Sequence, residues 1–203
     1  MGMRAPTARK TTLFGGALLA ILAAATPADA ESIIKNPGDH PPYRFELEPH
    51  ALFGWSNRFF GGNGFGAGVR GTVVIVDNGF VKTINNSVGI SFGLDFLHYD
   101  YCYYRNVNCG GNALHIPVAM QWNFWLSPQW SVFGEPGLMI YHGIYDDPCR
   151  DVQGRGIPGC RTPTRTGLDW AFWAGGRFHF NDKIALTMRI GYPTFSIGAS
   201  FLF

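Results

Sequence analysis

The sequence predicts an all-β fold, an eight-stranded antiparallel up-and-down transmembrane β-barrel. Three observations lead there. Eight segments between Tyr43 and Phe203 alternate apolar and polar residues with a period of two. Their apolar sides are nearly unbroken and carry bulky aromatics near the ends, while the opposite sides are rich in glycine. Long and short connections follow one another in turn along the chain.

The first thirty residues stand apart from this pattern. Arg4, Arg9 and Lys10 precede an apolar run, TTLFGGALLAILAAAT, and small residues Ala28 and Ala30 follow two positions apart. This is the layout of a secretory signal peptide cleaved after Ala30. The run is shorter than the ~20 residues that a membrane-spanning anchor needs. Residues 31–42, ESIIKNPGDHPP, read as a polar, extended leader, and residues 43–203 as the barrel. Removing the signal also removes the apparent basic character, leaving 13 basic and 13 acidic residues. A neutral chain without a basic stripe does not suit nucleic acid.

Each strand follows from its alternation. In RFELEPHALFGW, Phe45, Leu47, Pro49, Ala51, Phe53 and Trp55 oppose Arg44, Glu46, Glu48 and His50. FGAGVRGTVVIV sets Phe65, Val69, Val73 and Ile75 against Arg70 and Thr72. SVGISFGLDFLHY sets Val88, Ile90, Phe92, Leu94 and Phe96 against Ser91 and Asp95. ALHIPVAMQWNFWL alternates most clearly, with Leu114 through Leu126 opposing His115, Gln121 and Asn123. WSVFGEPGLMIY places Trp130, Val132, Leu138 and Ile140 opposite Ser131 and Glu135. LDWAFWAGGRFHF places Leu168, Trp170, Phe172, Phe178 and Phe180 opposite Asp169, Arg177 and His179. KIALTMRIGY opposes Ile184, Leu186, Met188 and Ile190 to Thr187 and Arg189. TFSIGASFLF closes the series on Phe203.

A soluble barrel would bury the apolar side and a membrane barrel would turn it to lipid. The aromatics near strand ends, such as Trp55, Phe65, Trp122, Trp130 and Tyr192, match interfacial girdles. Small residues opposite them, such as Gly68, Gly93, Gly137 and Gly175, suit the narrow interior of eight strands. NRFFGGNG, DYCYYRNVNCGGN and the long HGIYDDPCRDVQGRGIPGCRTPTRTG occupy alternate connections, with the tight turns SPQ and ND between them. DNGFVKTINNS is long for its place, and the Tyr192–Pro193–Thr194 corner is short. Cys102 and Cys109 share one long loop, and Cys149 and Cys160 share the next. In an exported chain these read as two local disulfides, since the spacing is not a zinc pattern.

With the polar sides inward, the lumen collects Arg44, Glu46, Glu48, His50, Arg70, Asp95, Gln121, Asn123, Glu135, Asp169, Arg177, His179 and Arg189. Mutually satisfied arginine–carboxylate pairs are what such an interior tolerates. The expectation is a structural network plugging the barrel, with a gated polar path as the alternative. Pro49, Pro117 and Pro136 each remove a ladder donor and mark sites of bulging or broken strand pairing. His98 and His142 face outward without a strand-borne serine beside them, so no catalytic constellation is expected, nor any metal or cofactor.

The signal, strand count, loop alternation and terminal phenylalanine make the chain resemble the small eight-stranded outer-membrane proteins of Gram-negative bacteria, the OmpA-like and OmpW-like class. The resemblance implies an outer-membrane location, a periplasmic position for residues 31–42, and contact with outer-membrane lipid and lipopolysaccharide. It implies that Phe203 acts as the signal read by the outer-membrane assembly machinery, and that the barrel is a monomer. Function is poorly specified by such a fold. A structural or surface-interaction role is expected, because the long loops carry Tyr99, Tyr101, Tyr103, Tyr104 and Arg105, and Arg150, Arg155, Arg161 and Arg165 beside Asp146, Asp147 and Asp151. OmpW-like transport of small hydrophobic molecules is the alternative, and a lipid-modifying enzyme the more distant one.

Overall fold

A computed structural model of the chain describes residues 32–55, 62–99, 111–145 and 164–203. The segment expected to be a signal peptide, the four cysteines and most of the three long loops lie outside the described residues. Eight strands are formed: β1 (Phe45–Gly54), β2 (Gly64–Val76), β3 (Asn86–Tyr99), β4 (Gly111–Trp125), β5 (Trp130–Tyr145), β6 (Thr164–Asn181), β7 (Ile184–Tyr192) and β8 (Thr194–Leu202). Each pairs antiparallel with its sequence neighbour, and β8 returns to β1, so the sheet closes into a barrel. Closure removes the sheet edge, which a lipid environment would leave unsatisfied. We call the end that carries the start of β1 and the end of β8 the base, and the opposite end the rim.

Side-chain exposure runs opposite to that of a soluble protein. Phe65 is 62 % exposed, Trp170 58 % and Ile190 61 %, whereas Glu48 and Glu135 are fully buried. An apolar side chain left in water forgoes roughly 1.5–3 kcal/mol. A continuous outer belt of Leu94, Phe96, Val118, Leu138, Ile140 and Phe172 therefore fits hydrocarbon and not water. The barrel is a transmembrane one.

All three strand prolines leave the same mark. At Pro49 the β1–β8 ladder skips, in unchanged register, from the Leu47–Phe201 pair to His50–Gly198. At Pro117 the β3–β4 ladder skips from Phe92–Val118 to Asp95–His115. At Pro136 the β4–β5 ladder skips from Ala119–Gly137 to Trp122–Gly134. On the other flank the ladder runs through each proline, pairing Pro49 with Val69, Pro117 with Met139 and Pro136 with Phe172. A missing N–H can interrupt only the side it would have faced. The barrel stays closed because no proline interrupts both flanks.

The leader is not extended, contrary to expectation. Residues 32–43 turn back under the base, with Gly38 at φ 84° beside Asn78. The Ile33 amide donates to Leu126 O at 3.1 Å, and the Asn85 amide to Ile34 O at 2.7 Å. The Asn85 side chain donates to Asp39 O at 2.7 Å. This accounts for the length of the β2–β3 connection: a tight turn there would offer the leader nothing to bond. Ile33, Tyr43, Trp125 and Leu202 form a buried apolar cluster beneath the lumen, with Val74 against it. Burial of Ile33 within the leader and of Tyr43 just after it folds the segment back.

Candidate functional site

Between base and rim, the inward positions of the strands hold a polar network. Nearest the base, Arg177 of β6 reaches Glu46 of β1 with Nε at 3.1 Å and Nη2 at 2.7 Å, a two-pronged pair. Its remaining arm donates to Asn123 Oδ1 of β4 at 3.0 Å. Higher up, Arg189 of β7 donates from Nε to Glu135 of β5 at 2.9 Å and from Nη1 to Glu48 of β1. Gln121 of β4 donates to the second Glu135 oxygen at 2.7 Å. Arg70 of β2 bridges Glu135 at 3.1 Å and Asp95 of β3 at 3.3 Å. His50 of β1 lies between acceptors, with Nε2 at 3.0 Å from Asp95 Oδ1 and Nδ1 at 3.2 Å from the Glu48 carbonyl. Three guanidinium groups and His50 thus face four carboxylates, every one of them buried.

Aromatic rings separate the guanidinium layers. Phe133 lies between Arg177 and Arg189, whose carbons stand 4.4 and 5.0 Å from its ring centre. Arg70 lies 4.6 Å over Trp173. A ring face accepts a cation without demanding a hydrogen bond, so these contacts fill space that a carboxylate would overcharge.

Two of the residues expected in the lumen stand elsewhere. Arg44 precedes β1 and is exposed outside the base, beside Phe203. Asp169 lies on the part of β6 that rises above the Phe172–Tyr192 pair, where β7 has ended. There it accepts from the Tyr192 hydroxyl at 2.9 Å and from the Trp170 amide. A period of two assigns the side of a strand but not the height, and both residues sit where one barrel wall is missing. His179 is buried near the base, 3.0 Å from Ser131 Oγ and with its ring 4.9 Å from Trp125.

Sequence reasoning missed what covers the network. Leu52, Leu97, Tyr99, Met139, Tyr141 and Trp173, with Ala113 and Ala171, form a second buried apolar cluster on the rim side. These residues share the inward side with the charges, and Tyr99, expected on a surface loop, ends β3 buried among them. The available signal was the loss of polar residues from that side near the rim ends of β1, β3 and β5. The charged layers therefore lie between two apolar plugs, this one and the Trp125 cluster at the base.

The outward histidines are held by cross-strand partners. His98 Nδ1 is 3.0 Å from Asn112 Oδ1, and His142 Nδ1 is 2.7 Å from Thr166 Oγ1.

No protein-family model matches the chain, and no curated protein sequence does. Solved structures do. The attachment invasion locus protein Ail of Yersinia pestis superposes with a TM-score of 0.51 at 13% identity, covering 81% of this chain and 99% of that one. Neisserial surface protein A superposes with a TM-score of 0.51 at 12% identity, covering 78% of this chain and 97% of that one. Ail in complex with the heparin analogue sucrose octasulfate gives 0.50 at 14% identity, covering 79% and 97%. This is the fold of the small outer-membrane barrels. At such identities the likeness is one of fold, and the lumen has to be judged on its own residues. In this fold the inward arginines and carboxylates pair with one another across the lumen, with Arg70 Nε left without a partner among the described residues, and buried apolar clusters flank the network on the base and rim sides.

Proposed function

We propose that the protein resides in the outer membrane of a Gram-negative bacterium as a closed barrel with a structural or surface-interaction role, its long loops turned outward. The observation that carries this reading is the enclosure of the charged network between the Trp125 and Trp173 clusters. Buried ion pairs of this geometry resist separation, and an ion entering the lumen would have to compete with them. Liposome swelling is the test. Proteoliposomes should show no uptake of small sugars or amino acids above empty vesicles, and clear uptake would overturn the closed-barrel reading.

For the interaction itself, the long β5–β6 loop carries Arg150, Arg155 and Arg161, and the previous loop carries Tyr101, Tyr103, Tyr104 and Arg105. Guanidinium groups pair with sulfate and phosphate in two-pronged fashion, so lipopolysaccharide phosphates or sulfated glycans are the partners of choice. That Ail was solved with a sulfated sugar is consistent with this chemistry. Vesicles bearing the protein should retain a sulfated polysaccharide, and a variant with the three β5–β6 arginines changed to Gln should not.

The cysteine pairs, Cys102–Cys109 and Cys149–Cys160, belong to the same proposal as staples of those loops, as do cleavage after Ala30 and recognition of Phe203 by the assembly machinery. Transport of small hydrophobic molecules is the second reading, and the ladder gaps at Pro49, Pro117 and Pro136 favour it. We assign no catalytic role, and labelled lipid A or phospholipid incubated with the refolded barrel should return unchanged.

A further inference from the structure

A pocket of about 320 Å³ opens at the base, lined by His40, Tyr43, Arg44, Asp77, Asn78 and Phe203. Its size lies within the range of small-molecule sites, about 300–1,000 Å³. Two side chains of opposite charge line it. Arg44 and Asp77 are both exposed, and neither makes an ion pair among the described residues. Neighbouring acceptors are already engaged. The Phe203 O atom accepts from the Arg44 and Phe45 amides at 2.7 and 3.1 Å, and the Asp77 carbonyl lies 3.0 Å from His40 Nε2. Beside the end of the chain at Phe203, the charged side chains left facing the pocket are the Arg44 guanidinium and the Asp77 carboxylate.

The pocket also adjoins the lipid-facing wall. Phe203 is 67 % exposed and its ring lies 6.3 Å from that of Phe45. Phe45 pairs with Val73 across β1–β2, and Leu47 with Phe201 across β1–β8, which continues an outward apolar strip away from the base. A ligand suited to both parts carries a phosphate, an ammonium group and acyl chains.

We propose that this pocket binds the headgroup of a phosphoethanolamine lipid from the leaflet at the base, with Arg44 on the phosphate and Asp77 on the primary ammonium. The assignment rests on the membrane reading above. A guanidinium takes phosphate oxygens through paired N–H donors, whereas a carboxylate takes a primary ammonium through N–H bonds that a choline cannot offer. The acyl chains then lie along Phe203, Phe45 and Leu47. Arg44 is thereby accounted for: a cation at the mouth of the base meets a headgroup, not the lumenal carboxylates.

Native mass spectrometry of the refolded protein tests this, using mixed micelles with equal phosphatidylethanolamine, phosphatidylglycerol and phosphatidylcholine. The wild type should retain the ethanolamine lipid at least fivefold over either other lipid. Arg44→Gln should lose retention of all three, and Asp77→Asn should retain the ethanolamine and glycerol lipids equally. Equal retention of the three lipids by the wild type overturns the proposal, as does a preference that survives both substitutions. Displacement of the lipid by an equal concentration of soluble phosphoethanolamine would assign the pocket to the free headgroup and overturn the lipid. Heat-modifiable migration of each sample is the fold control: its absence in the wild type counts against the membrane reading, whereas its presence without lipid selectivity counts against the pocket alone.

Discussion

Glu48 and Glu135, on the opposite strands β1 and β5, share the guanidinium of Arg189, and each is followed by a proline. The two features are linked through the ladder gaps. Where β1–β8 skips Glu48 and Pro49, the residue facing Glu48 is Ser200, whose Oγ lies 3.4 Å from Glu48 and 2.6 Å from Glu46. Where β4–β5 skips Glu135 and Pro136, the residue facing Glu135 is Gln121, which donates to it at 2.7 Å. Side-chain bonds across the gap stand in for the backbone bonds that the prolines remove. The adjacent carboxylate gives the facing strand an acceptor at the place where it loses a donor.

Arg189 is the residue on which this arrangement converges, since it joins β7 to both β1 and β5. Removing one partner of a buried ion pair costs about 3–5 kcal/mol, because the remaining charge stays buried and unpaired. Arg189→Met should lower the unfolding free energy of the bilayer-reconstituted barrel by about that amount. The triple change Arg189→Met, Glu48→Gln, Glu135→Gln should recover part of the loss. A single-variant loss below about 1 kcal/mol would mean that the network is slack and contributes little.

Pro136 tests the gap itself. Pro136→Ala returns an N–H that faces β4, and a net hydrogen bond is worth about 0.5–1.5 kcal/mol. Greater freedom of the unfolded chain offsets roughly 0.4–1 kcal/mol of that. Stability should therefore change by less than about 1 kcal/mol, while the amide that the substitution creates becomes protected against hydrogen exchange like its strand neighbours. Rapid exchange of that amide would show that the gap is held open by packing around Glu135 and not by the missing donor.

Alternation located the barrel well because lipid and lumen impose their demands on every second residue. RFELEPHALFGW anticipates β1 within one residue at either end, and TFSIGASFLF anticipates β8. Height along the strand has no such periodic trace. Arg44 and Asp169 carry the inward parity yet lie where a neighbouring strand has not begun or has already ended. The rim plug is hidden for a related reason: Leu52, Leu97 and Trp173 are apolar on the inward side, so alternation does not distinguish them from the lipid-facing set. The leader hid its fold because Ile33 and Tyr43 acquire meaning only when Trp125 and Leu202 are brought beneath the lumen by closure of the barrel. No local pattern carries that information.

Two plugs in series imply that neither alone sets the permeability. Trp173 is buried in the rim cluster, with Nε1 3.3 Å from Thr194 Oγ1, and Trp125 is buried in the base cluster. Truncating either to Ala should cost about 3–5 kcal/mol of stability without creating conductance in planar bilayers. The double variant Trp125→Ala, Trp173→Ala uncovers the charged layers from both ends and should show ion current. Current through either single variant would place the seal in one plug only.

Tyr43 gives the base plug a dependence on pH. Burial is the main cause that pushes its phenol well above the ordinary 10.0, opposed by Arg177 and assisted by Glu46. A raised folded-state pKa means that the folded leader holds its proton more tightly than the undocked leader does. The resulting stability is fully present below pH 10.0, the ordinary value of the phenol, and is lost as pH rises from there toward the folded-state value. Protease cleavage within residues 32–42 should therefore be slow at neutral pH and accelerate above pH 10.0. The barrel strands should stay protected, because closure does not depend on the leader. Tyr43→Phe keeps the apolar ring and removes the titrating group, so its cleavage rate should be flat across the same range. An identical alkaline rise in Tyr43→Phe would assign the loosening to another group.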